Sequence, residues 1–136
     1  MTSSQPVTTP NALNFTPDNK HAYAYSGVIG VTNVEKTLLE FKTNSEYIVA
    51  KFGIGSTRAE GDDHNWKIYF NDIQIEGRYL DRTYNEGYDM DIRTPIIIPP
   101  FTTVKVTLDN QSSATEREWM AVVTGDVYGM ADVGYQ

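Results

Sequence analysis

The stretch Trp66-Lys67-Ile68-Tyr69-Phe70-Asn71-Asp72-Ile73-Gln74-Ile75 decides how the chain is read. Trp66, Ile68 and Phe70 alternate with Lys67 and Tyr69, the period of a strand with one face turned inward. Asn71-Asp72 interrupts the run, and Ile73 and Ile75 resume the alternation. Both turn residues tolerate positive φ, so a two-residue loop here suits a type I′ hairpin. The register this implies pairs Phe70 with Ile73 and Ile68 with Ile75, which places both apolar pairs on one face.

The same period extends in both directions. Ile48, Ala50, Phe52 and Ile54 share a face, as do Val104, Val106 and Leu108 with Thr103, Lys105 and Thr107 opposite. Trp119, Ala121, Val123 and Val127 form a further inward row. Turn chemistry separates the runs at Asn44-Ser45, at Pro99-Pro100 and at the polar Asp109–Ser113. No window carries an amphipathic helix of useful length. The reading is an all-β chain of about eight strands, near 22–32, 36–43, 46–56, 65–71, 73–80, 92–98, 101–109 and 117–128, as in a jelly-roll-like β-sandwich. An immunoglobulin-like sandwich is the rival, but its Cys-Trp-Cys core is missing. Phe52, Ile68, Phe70, Val106 and Trp119 are predicted to be core residues.

Residues 1–21 read differently. Three Pro among Ser, Thr and Asn leave no period and little to bury, which predicts an extended N-terminal arm ahead of a sandwich domain over 22–136. Leu13 and Phe15 are its sizeable apolar side chains. They are predicted to anchor between subunits. The run Pro95–Phe101 is apolar on both faces, so one face meets the core and the other meets the arm or a second chain. Ile96, Ile98 and Phe101 are its candidate interface residues.

A chain of 136 residues suits one domain. With a net charge of −7 and no basic cluster, it lacks the footprint of a nucleic-acid binder and of a protein drawn to anionic lipid. The absence of Cys removes disulfides, thiol nucleophiles and thiolate metal sites. Met1–Gln5 lack the basic and apolar regions of a signal peptide, and no apolar run approaches the ~20 residues of a membrane span.

No catalytic constellation stands out. His21 lies at the arm boundary and His64 beside an acidic loop, and neither reads as a general base in a pocket. A nucleophile elbow, a P-loop, a dinucleotide glycine motif and HExxH are all missing. The expectation is no enzyme, no cofactor and no structural metal. Two acidic segments, Glu60–Asn65 and the one holding Asp81, Glu86, Asp89 and Asp91, could offer oxygens to calcium, but a solvated loop is the better reading of each. Tyr69, Tyr79, Tyr84 and Tyr88 are candidate contact residues, for a protein partner or for stacking on sugar rings.

Quoted in order, the chain runs Leu38-Leu39-Glu40-Phe41, Tyr47-Ile48-Val49-Ala50-Lys51, the Ile68–Ile73 hairpin, Ile97-Ile98-Pro99-Pro100-Phe101-Thr102-Thr103-Val104-Lys105-Val106-Thr107, and Val122-Val123-Thr124-Gly125-Asp126-Val127-Tyr128-Gly129. Over residues 22–129 this resembles the small single-jelly-roll structural proteins of tailed phages and related viruses, the capsid decoration (cement) and fibre-associated proteins. The resemblance implies a virion structural protein on the capsid exterior. It would form a homo-oligomer, with a trimer favoured, and bind the major capsid protein or other virion proteins. It carries over no catalytic residue. The alternative expectation is a carbohydrate-binding β-sandwich, free or on a virion.

Overall fold

The computed structural model describes residues 12–58, 62–80, 87–89 and 95–129. Residues 1–11 of the arm, together with Glu60, Gly61, Asp81, Tyr84, Glu86 and Asp91, lie outside the described residues. The strands are β1 (Asn14–Phe15), β2 (His21–Tyr25), β3 (Ile29–Val31), β4 (Lys36–Lys42), β5 (Tyr47–Arg58), β6 (His64–Phe70), β7 (Ile73–Leu80), β8 (Gly87–Asp89), β9 (Ile96–Ile98), β10 (Thr103–Asn110) and β11 (Arg117–Tyr128). They form two antiparallel sheets. One runs β4-β10-β6-β7, and the other is built on β1-β2-β11-β5-β8, with β3 also on β11 and β9 also on β5.

The pairing order is that of a jelly roll. β2 and β3 lie end to end along β11, and β8 and β9 both pair with β5, so each couple occupies one strand position. Counted so, the first position pairs with the last (β2/β3 with β11) and the second with the next to last (β4 with β10). β5 then pairs with β8/β9, and β6 with β7 at the tip. A long hairpin ribbon has been wrapped until β11 meets β5 and β10 meets β6. The immunoglobulin-like order does not nest its strands in this way.

Eleven strands are described where about eight are expected, because one predicted strand is split and β1 and β8 lie outside the predicted ones. The predicted strand 22–32 breaks at Ser26-Gly27-Val28, where Gly27 takes φ 76°. There the Ser26 side chain replaces a ladder partner: the Ala121 N–H donates to Ser26 Oγ at 2.8 Å, and the Ser26 N–H donates to the Ala121 carbonyl at 3.0 Å. From Leu13 onward the arm residues belong to the sandwich. β1 is the edge strand beside β2, and Leu13 and Phe15 pack against the core of their own chain.

The hairpin at Asn71-Asp72 has positive φ at both residues, 51° and 68°, as type I′ requires. Its register differs by one pair. Phe70 faces Ile73 as predicted, but a bulge after Ile68 sets Ile68 opposite Glu76 and leaves Ile75 as the extra residue. A second bulge, between Val106 and Thr107, lets the consecutive Leu38 and Leu39 both turn inward, which strict alternation forbids.

Phe52, Ile68, Val106 and Trp119 are buried, and Phe70 is half-buried at the margin of the same cluster. One inward row on the larger sheet reads Phe15, Ala22, Gly125, Ala50, Ile96 across successive strands. Gly125 is required there, since a β-carbon would lie 2.6 Å from Ile48 Cγ2 and 2.7 Å from the Val49 carbonyl oxygen.

The end of the sandwich where β6 begins corrects the loop reading of Asp62 and His64. Asp62 is buried, and its carboxylate accepts from Arg117 Nε at 2.7 Å and Asn110 Nδ2 at 2.9 Å. Those two donors hold its carboxyl below the usual range. His64 is the first residue of β6 and wholly buried, with its ring tilted on Trp119 at 4.8 Å. Neither ring nitrogen completes a hydrogen bond of good geometry among the described residues. The apolar row beginning at Trp66 continues inward through position 64, so the pleat carries the imidazole into the core with it.

Candidate interaction surface

The two outer faces of the sandwich are chemically different. On the smaller sheet, Glu40, Lys42, Lys67, Lys105 and Asp109 point outward among Thr37, Thr103, Thr107, Tyr69 and Tyr79. The Glu35 carboxylate accepts from the Thr107 hydroxyl at 2.6 Å and the Tyr69 hydroxyl at 2.9 Å, and the first of these bonds does most to hold its pKa low. The Tyr79 hydroxyl donates to Asp63 at 2.6 Å. Tyr69 and Tyr79 are therefore moored by their hydroxyls on a charged face.

The outer face of the larger sheet holds tyrosines and aliphatic side chains in register. One row is Tyr25 and Val122, with Gly53 beyond. The next is Asn14, Tyr23, Thr124 and Lys51. Then come His21, Asp126, Val49 and Ile97, and last the couple Tyr128 and Tyr47. Strands that turn Ala22, Ala24, Ile48, Ala50, Ala121 and Val123 inward must turn these residues outward. Ile97 is 60% exposed. The Tyr25 hydroxyl donates to Met120 Sδ at 3.6 Å. Tyr47 and Tyr128 stack with ring centroids 5.3 Å apart. His21 Nδ1 and Asp126 Oδ1, 3.4 Å apart, mark the polar centre. A depression of about 440 Å³ beside Tyr128 is lined by Lys20, Asp126, Val127 and Tyr128.

The candidate residues chosen from sequence fall in several places. Ile98 is buried, and Ile96 packs against the core, so both serve the interior. Leu13 and Phe15 do the same in part. Phe101 is 65% exposed at the end of the sandwich where β6 finishes. Tyr88 sits in β8 opposite Gly55. The tyrosine face was missed as a unit, although its signal was present in the positions alternating with the assigned inward rows.

No family model, no curated protein and no solved structure matches this chain.

Proposed function

We propose that this jelly roll is a structural binding module of a virion, docking through the outer face of its larger sheet as part of a homo-oligomer on the capsid exterior. The observation that carries the reading is the asymmetry of the two outer faces. Charged and hydrogen-bonded groups cover the three strands β4, β10 and β6 of one, whose exposed apolar residues Ile73, Ile75 and Tyr79 are confined to the edge strand β7. The other spans β2, β11, β5 and β9 with Tyr23, Tyr25, Tyr47, Tyr128, Val49, Val122 and Ile97. Tyrosines bring contact area with little loss of rotamer freedom, and aliphatic neighbours add desolvation. Binding only to an assembled lattice stabilises that lattice by mass action. The resemblance to capsid decoration and fibre-associated proteins supplies the kind of partner, the major capsid protein or another virion protein.

The test is co-sedimentation of the purified protein with capsids stripped of it. Wild type should pellet with particles. Val49→Asp combined with Tyr128→Ala should lose most of that binding, whereas Lys105→Glu on the opposite face should keep it. Equal binding by all three proteins, or none by wild type, would sink the reading.

The Tyr47–Tyr128 stack beside the Lys20–Asp126 depression favours a second reading, a carbohydrate-binding module. An aromatic platform flanked by a carboxylate and an ammonium group can stack on one face of a sugar ring and hydrogen-bond its hydroxyls. Retardation by polysaccharide in native gels, abolished by Tyr128→Ala, is the result that would favour it.

A further inference from the structure

Four described non-glycine residues have positive φ. Three are Asn or Asp, the types that tolerate it, and the fourth is Phe101 at 54°. Phe101 is the third residue of the turn Pro99-Pro100-Phe101-Thr102, a place where Gly or Asn would relieve the backbone. The turn is held firmly despite this strain. The buried Thr43 hydroxyl donates to the Pro99 carbonyl at 2.7 Å and accepts from the Thr102 N–H at 2.9 Å, bridging the turn from within. The Phe101 N–H donates to the Asn44 carbonyl at 2.8 Å. The outcome is a phenyl ring 65% exposed. Strain retained at a fixed, exposed aromatic side chain is a feature that folding does not require.

We propose that Phe101 is a knob that enters the depression beside Asn44 on a second copy of this chain. This rests on the homo-oligomer part of the proposed function and assigns its contact. The depression has a volume of about 230 Å³ and is lined by Phe15, Asn19, Asn44 and Glu46. Phe15 supplies an aromatic contact, and the oxygens of Asn19, Asn44 and Glu46 suit the electropositive edge of a phenyl ring. Asn44 belongs to both features, because its carbonyl holds the Phe101 turn and its residue lines the socket. A knob and a socket side by side on one surface are what a symmetric pairing of identical chains needs. One ring covers only part of a stable interface, and exposed Ile73, two residues beyond the Asn71 that bonds Thr103, lies at the same end.

Sedimentation velocity of the full chain over a concentration series tests this, with circular dichroism melts alongside. Wild type should associate. Phe101→Asn and Phe101→Gly should weaken association at least tenfold, while the melting temperature, compared at concentrations where wild type is also dissociated, stays level or rises, since both residues suit positive φ. Asn44→Arg, which fills the socket from an exposed position, should weaken association similarly. Wild-type association by Phe101→Asn, or a wild type monomeric at every concentration, would overturn the proposal. A monomer that still pellets with capsids overturns the knob and leaves the binding module standing. An oligomer that Phe101→Asn dissolves, but that binds no capsid, supports the knob and removes the virion reading.

Discussion

At the end of the sandwich where β6 begins, the Asp62 carboxylate gathers Arg117 and Asn110, and His64 and Trp119 lie buried among the residues beneath. At the end where β6 finishes, the Thr43 hydroxyl stitches the Pro99–Thr102 turn, and Phe101 is pushed into water. Both ends use a buried polar side chain to tie segments distant in sequence. At the first end the tie closes a core. At the second it holds a strained turn that displays an aromatic ring. A buried hydrogen bond therefore does not by itself say whether its site serves stability or contact. What it leaves exposed says that.

Substitutions separate the two ends. The largest expected effect belongs to neither. Phe52→Ala removes a ring from the shared core and should cost about 3–5 kcal/mol, lowering the denaturation midpoint while leaving a single transition. Two separate transitions would show the ends to be independent units. Asp62→Ala should come next, at roughly 2–4 kcal/mol, because it strands Arg117 and leaves the Asn110 amide with only the Thr115 carbonyl. Association should not change. Thr43→Val keeps the shape but deprives the Pro99 carbonyl and the Thr102 N–H of their shared partner, for about 1–3 kcal/mol. Unlike Asp62→Ala, it should also weaken association, since the Phe101 turn loosens. Urea titrations paired with sedimentation would detect a reversal of that pattern.

The smallest effect is in pH. Burial holds the His64 imidazole below its ordinary value near 6.5, and the nearby Arg117 charge adds to this. The Asp62 backbone and the carboxylates of Asp62 and Asp109 pull the other way without prevailing. The folded chain then binds fewer protons than the unfolded chain between the two pKa values, so stability rises with pH there. The contribution of neutral His64 is complete above about pH 6.5 and declines as pH falls from there toward the folded pKa. His64→Phe should flatten the melting temperature just below pH 6.5. An unchanged slope would show that His64 does not set it. Asp62 acts lower, with stability present above its ordinary value near 3.8 and lost as pH falls through the depressed folded one.

Local pattern sufficed for the long central strands. Alternation at Ile48–Ile54, Trp66–Phe70, Val104–Leu108 and Trp119–Val123 marks which side chains enter the core, and Asn71-Asp72 marks the hairpin, because a pleat and a two-residue turn are properties of neighbouring residues. The nested pairing of first strand with last joins positions about a hundred residues apart, and jelly-roll order rests on it. Sequence suggested that order only through the count of about eight strands and through resemblance, neither of which names the pairs. Alternation also failed where a bulge added a residue, at Leu38-Leu39 and at Ile75, since a bulge is settled by the partner strand. Asp62 and His64 looked solvated in their acidic neighbourhood, and only the approach of Arg117, Asn110 and Trp119 from other strands removes them from water. The tyrosine face has the same origin. Tyr23, Tyr47, Val49, Ile97, Val122 and Tyr128 are scattered along the chain, and antiparallel registry is what sets them side by side.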